Sequence, residues 1–159
     1  MTLVPQDKDN SVYSFMGWQT VTNTSSSQYT LRERYKKTGN KLFDPNGLAD
    51  IFGRKVIACV SRFGNVGEEV EVTFKNPVNY WNPKGTLFAI IGDIKSSSDS
   101  NNDGWGHLYT NGTQRSVVEF IVDGNVFKNK KNIKSTFPGL KNNPVIKIEK
   151  TGVNFFDKI

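Results

Sequence analysis

Five apolar runs constrain this chain most: each is only long enough for a strand, and each is bounded by Gly, Asn, Asp or Pro. "KVIACV", Lys55 to Val60, is continuously apolar, the pattern of a strand buried on both faces. "EEVEVTFK" alternates instead, with Val70, Val72 and Phe74 on one face. "TLFAIIGD" ends an apolar run in Asp93. "RSVVEFIVD" sets Val118, Phe120 and Val122 against Val117, Glu119 and Ile121, and "VIKIEKTG" offers Val145, Ile146 and Ile148. Between them lie turns by composition: "DPNG" at 44–47, "FGNVG", and "NPVNYWNPKG" with its Asn-Pro steps. Only "SSSQYTLRERYKKTGN" reads as a helix, capped by Ser27 and ending at Gly39, with Leu31 and Tyr35 facing inward one turn apart. These elements predict a mainly β protein: a small β-barrel, because closure removes free edges, with one short N-terminal helix. Residues 1–24 read as an N-terminal extension, 25–123 as the barrel domain, and 124–159 as a C-terminal extension that completes the barrel or tethers a partner.

The 159 residues suit one domain, and a net charge of +6 attracts a polyanion. The lysines are spread, with some density at Lys128, Lys130, Lys131 and Lys134, which reads as a solvated basic tail. There is no arginine cluster and no motif of a DNA reader, so nucleic acid is the weakest of the polyanion partners. A single cysteine excludes an internal disulfide and a cysteine zinc cage. "MTLVPQDKDN" lacks the basic start and apolar run of a secretory leader, and no run reaches membrane-spanning length. The expectation is a protein without a membrane span that leaves the cell, if at all, by another route.

The candidate chemistry centres on "IIGDIKSSSDSNNDGWGHLYTNG", which holds the only histidine. Asp99, Asn101 and Asp103 followed by Gly104 match the opening of a calcium loop, but Thr110 stands where a bidentate glutamate belongs. His107 with Asp93 or Asp103 makes a poor zinc set. Acid–base chemistry is the third reading. Asp93 ends an apolar strand and Glu119 interrupts another; in a cleft, desolvation raises such carboxyls and makes them general acids, while His107 orients a substrate or carries a proton. Cys59 with His107 would support acyl transfer, though inside "VIACV" it equally reads as a small core residue. A surface loop without chemistry is the remaining alternative.

The order "SSQYTLRER", "FDPNGLADIFGRKVIACVSRFGNVGEEVEV", "IIGDIK", "WGH", "VVEFIVD" resembles small domains in prophage and phage-tail proteins of Gram-positive bacteria. It is also similar, more distantly, to three-aspartate domains and other double-psi β-barrels that cut peptidoglycan. That likeness implies a double-psi-like barrel and lytic cleavage of the glycan strand, with Asp93 in the place of the aspartate of a "D-T-G" motif and Glu119 in the place of a later aspartate. "GDIK" departs from "DTG", and the family's first aspartate has no counterpart near Val60. The resemblance implies catalytic Asp93, His107 and Glu119, substrate contacts from Lys95, Trp105, Tyr109 and Trp81, and no cofactor. The partner is then peptidoglycan, with other phage tail proteins beside it. The competing functions are a non-catalytic module of a phage tail or injection machine and a Cys59–His107 peptidase of the wall.

Overall fold

A computed structural model describes residues 2–78, 86–96, 98, 103–110 and 113–159. Along the chain come β1 (Thr2–Leu3), β2 (Phe15–Gly17), α1 (Ser27–Lys37), β3 (Asp50–Ile51), β4 (Arg54–Cys59), β5 (Glu68–Phe74), β6 (Leu87–Ile94), β7 (Leu108–Thr110), β8 (Thr113–Arg115), β9 (Glu119–Val122), α2 (Gly124–Phe127) and β10 (Val145–Asn154). The protein is mainly β. One mixed sheet runs β1-β10-β5-β6-β4-β9-β2, β3 pairs with β4 beside that path, and β7 and β8 form a separate hairpin. β4 is parallel to β6 and β2 to β9, while the other pairs are antiparallel. Among the described residues the path is open, with β1 and β2 at its ends. Asn10 and Ser11, between β1 and β2 in the chain, bridge two other segments: the N–H of Val145 at the start of β10 donates to the Asn10 carbonyl at 3.1 Å and the Ser116 N–H, ahead of β9, to the Ser11 carbonyl at 3.0 Å.

The continuously apolar run becomes β4, with neighbours on both edges and a core on each face. Ile57 and Cys59 pack with Val70, Val72, Ile91 and Phe120; Val56 packs on the other side with Ile90, Ile121, Trp18 and Leu31. Helix α1 covers the second face through the buried Leu31 and Tyr35. Its cap is Ser26 rather than Ser27: the Ser26 hydroxyl accepts from the Tyr29 N–H at 3.1 Å.

The segments set apart as extensions are woven into the same sheet. Residues 1–24 supply β1, β2 and the buried Val4, Val12 and Trp18, and β10 lies between β1 and β5. Nor is the lysine-rich segment after β9 a solvated tail. It folds as α2 followed by 3₁₀ turns at Ile133–Ser135 and Pro138–Leu140, with Phe127, Ile133, Phe137 and Leu140 in the core. "RSVVEFIVD" is a shorter strand than its alternation suggests. Ser116 takes a φ of +68°, its hydroxyl accepts from the Tyr13 and Ser14 N–H groups, and regular pairing with β4 and β2 starts only at Glu119–Phe120.

The pairing of β4 with β6 slips once. Lys55, Val56 and Ile57 stand beside Ala89, Ile90 and Ile91; then Ala58 stands beside Asp93 and Cys59 beside Ile94, so Gly92 is passed over. Strict alternation after Leu87, Ala89 and Ile91 would send Asp93 into the first core, and the slip turns it to the opposite face. Gly92 also yields room there. A Cβ on it would lie 2.2 Å from Val56 Cγ1 and 3.1 Å from Ile121 Cδ1. Gly92→Ala is therefore expected to cost about 1–3 kcal/mol, the usual range for overpacking a filled core. Equilibrium chemical denaturation measures it, and an unchanged midpoint would show that the contact relaxes freely.

Candidate active site

The slip lines up three residues across adjacent strands: Asp93 on β6, Ala58 on β4 and Glu119 on β9. Neighbouring strands lie about 4.8 Å apart, so the two acidic residues are separated by roughly 10 Å of backbone with only a methyl group between them. That gap is a cavity of ≈ 250 Å³, lined also by Met16, Ile94, Lys95 and Ser96. A second cavity of ≈ 290 Å³ shares Asp93 and Met16 with the first. Its rim carries hydroxyls and amides from Thr20, Thr22, Asn23, Ser26 and Gln28. Asp93 thus stands where the two hollows meet.

The carboxyls differ in their surroundings. Burial pushes the Asp93 carboxyl above the usual carboxylate range, and N–H donors from Ile94 and Gln28 only partly offset it. Both donate to Oδ1, at 2.9 and 3.2 Å, and Oδ2 has no partner among the described residues. Burial also raises Glu119; Lys95 opposes this and the nearby Asp93 adds to it. The Glu119 side chain is 14% exposed and has no hydrogen bond among the described residues, only the Lys95 ammonium at 3.9 Å.

Lys95 is itself 8% exposed. Its Nζ donates to the Gly106 carbonyl at 2.6 Å and the Ser116 carbonyl at 2.5 Å. Burial lowers its pKa, with Glu119 the strongest opposing influence. Lys95 therefore pins the loop and the start of β9 to the end of β6, and offers only its remaining N–H direction toward Glu119.

The histidine sits elsewhere. His107 is 1% exposed. Its Nδ1 bonds the Asp103 carboxylate and its Nε2 the Asn10 side-chain oxygen, while the Asn10 amide nitrogen donates to the Pro5 carbonyl. It lines a separate hollow of ≈ 160 Å³ with Pro5, Asp7, Lys8, Asp103 and Trp105. The structure brings Asp93 and Glu119 together and leaves His107 outside their cavity, as a clasp between the N-terminal segment and the loop.

Asp103 serves that clasp. Its Oδ1 accepts from the Trp105 and Gly106 N–H groups at 2.8 and 3.0 Å, and its Oδ2 faces His107 and Lys8. Desolvation would raise its carboxyl, but these bonds outweigh it and hold it below its ordinary value. Asp99, Asn101 and Trp81 lie outside the described residues. Among the described residues, no group of three or more His, Cys, Asp or Glu is placed to hold a metal ion.

Trp105 packs on Phe63 with ring centroids 6.1 Å apart, under the Arg62 guanidinium at 3.8 Å, and lines the histidine's hollow rather than the acids'. Tyr109 pairs with Gln114 in the β7–β8 hairpin, and its side chain lies outside the described part. The Cys59 thiol is fully buried on the core face of β4, pushed up to about 12 by burial with Lys95 pulling the other way. It makes no hydrogen bond with His107, whose two ring nitrogens are engaged elsewhere.

Compared with known protein families, curated proteins and solved structures, the chain matches none. Among the described residues no helix is long and apolar enough to cross a membrane.

Sequence reading did not single out Gln28, Ala58, Met16 or the polar rim at 20–26. "TVTNTSSSQ" reads as a linker and a helix cap, and nothing local shows that the cap faces Asp93. The raised carboxyls give a stability signature. Each binds its proton more tightly in the folded chain, so between the ordinary carboxylate range and the folded value the folded state holds more protons, and stability falls as pH rises. Glu119→Gln removes one such contribution. Its thermal midpoint is expected to exceed the wild type at pH 7 and to converge with it towards pH 4, in paired unfolding scans; a lower midpoint at both pH values would contradict this charge balance.

Proposed function

We propose that this chain is a phage or prophage domain that cleaves the glycan strand of bacterial peptidoglycan by carboxyl acid–base chemistry. The observation that carries the reading is the pair of largely buried carboxyls, Asp93 and Glu119, both raised by burial, on one cavity that shares Asp93 with a second, hydroxyl-lined one. Two hollows meeting at one acid suit sugar rings on either side of a scissile bond, and Thr20, Thr22, Asn23 and Ser26 supply donors and acceptors for hydroxyl and acetamido groups. The resemblance to phage-tail domains and to wall-cutting double-psi barrels supports the setting, on the virion or released to the wall. A barrel-like closure belongs to the same reading, supported by the Asn10–Ser11 bridge between the start of β10 and the segment that precedes β9.

Asp93 is the acid. Among the described residues no cation stands beside it and burial favours its protonated form, whereas Lys95 at 3.9 Å favours the ionised form of Glu119. The Asp93 carboxyl gives its proton to the glycosidic oxygen as the C1–O bond breaks. The 6-hydroxyl oxygen of the same sugar then bonds C1, and its proton returns to Asp93, so an anhydro end forms and no water is consumed. Glu119 stabilises the positive charge that develops at C1. His107 acts as a positioning residue through the loop it clasps.

Purified walls incubated with the protein should release soluble fragments with non-reducing anhydro termini, lighter by one water than the reducing ends that hydrolysis leaves. Asp93→Asn should lower release at least about 100-fold, the lower range for loss of a general acid. Undiminished release by Asp93→Asn would remove the site, and no release by the wild type would return the chain to the rival reading of a non-catalytic tail module.

A further inference from the structure

The net positive charge of this protein falls in one lobe. From Gly124 to Ile148 the chain has six lysines, Lys128, Lys130, Lys131, Lys134, Lys141 and Lys147, and no acid. The rest has 21 − 6 = 15 basic residues against 15 acidic ones, so the whole excess of +6 lies here. The lobe is folded on Phe127, Ile133, Phe137 and Leu140, which holds its lysines outward. Lys147 has Glu149 at 3.7 Å, while the other five lysines have no acidic partner among the described residues. Lys130 and Lys134 rest on the rings of Phe127 and Tyr13, 5.7 and 5.1 Å from the ring centroids.

We propose that this lobe is a docking face for a flexible phosphodiester polymer without aromatic bases, such as a poly(polyol phosphate). Clustered lysines bind phosphate as point charges and lack the fork that arginine uses for bidentate recognition. Among the described residues the lobe exposes no aromatic ring on which a base could stack, and its longest helix has four residues, too short to lie in a duplex groove. A lipid surface would be met by an apolar patch, and the lobe's one large exposed apolar side chain among the described residues is Val126.

The lobe also lies beside the groove. Phe127 packs on Phe15 of the terminal strand β2, with ring centroids 5.1 Å apart, and the next residue, Met16, faces the acid cavity from the other side of that strand. A chain held on the lobe passes around one strand edge to reach Asp93. The docking proposal does not depend on the cleavage reading.

The test is binding of soluble poly(glycerol phosphate), which has no glycosidic bond in its backbone, so failure here leaves the cleavage reading standing. Lys128→Gln/Lys130→Gln/Lys131→Gln should weaken binding at least about tenfold at low salt and lower the slope of log K against log salt by about two. The matched triple Lys36→Gln/Lys37→Gln/Lys41→Gln, at exposed positions around the end of α1, should change affinity less than about threefold, a loss that screened net charge alone would give. Equal loss in both triples, no binding by the wild type, or tighter lobe-dependent binding to duplex DNA, single-stranded oligonucleotide or anionic phospholipid vesicles would each overturn the proposal.

Discussion

One irregularity in the pairing of two parallel strands decides what this sheet presents to solvent. β6 carries Leu87, Ala89 and Ile91 on its core face, and the next position in that series is Asp93. A carboxylate delivered there would be buried beside Ile57 and Cys59 without a cation-rich pocket, which costs several kcal/mol in an apolar interior. Passing over Gly92 reverses the parity and places Asp93 in line with Ala58 and Glu119. The glycine and the alanine act together: the first removes a side chain that would strike Val56, and the second leaves open the space between the acids.

Burying Lys95 beside those acids requires acceptors, and the fold supplies backbone carbonyls from two separate segments. Ser116 is the hinge of this arrangement. Its left-handed backbone ends the register of β9, its carbonyl takes Lys95, and its hydroxyl takes two N–H groups of the N-terminal segment. His107 and Asp103 fasten the same seam from the loop side, through Asn10. The residues that look most chemical in the loop are thus spent on holding it, which is why the lone histidine is not at the acids' cavity.

The sequence made the strands legible wherever burial has a period. β4, β5, β6, β9 and β10 each lie within or across an apolar run, and Leu31 and Tyr35 face inward as their spacing implies. β1 and β2 were hidden because they pair for only a few residues and owe their existence to partners far along the chain. The β7–β8 hairpin had a local signal, Asn-Gly at 111–112, that the length of the polar loop obscured. Of the site, Asp93 and Glu119 were visible as acids in apolar strands. That they share a cavity depends on a slip in register, and the polar rim depends on where α1 docks; neither is encoded by spacing along the chain.

Two acids and one cation make an asymmetric set. A free ammonium between Asp93 and Glu119 would ionise both and leave neither able to donate a proton at neutral pH. Here two of the three Nζ donors of Lys95 are committed to carbonyls, and the ammonium stands 3.9 Å from the Glu119 carboxyl and forms no ion pair with Asp93. Its charge opposes the rise of Glu119 alone, and neither acid falls below the ordinary range. The carbonyls of Gly106 and Ser116 therefore tune the carboxyls at one remove: each hydrogen bond they take from Lys95 is one that Glu119 does not receive. The loop that holds the lone histidine acts on the acids from behind, by fixing how much of one buried positive charge they meet.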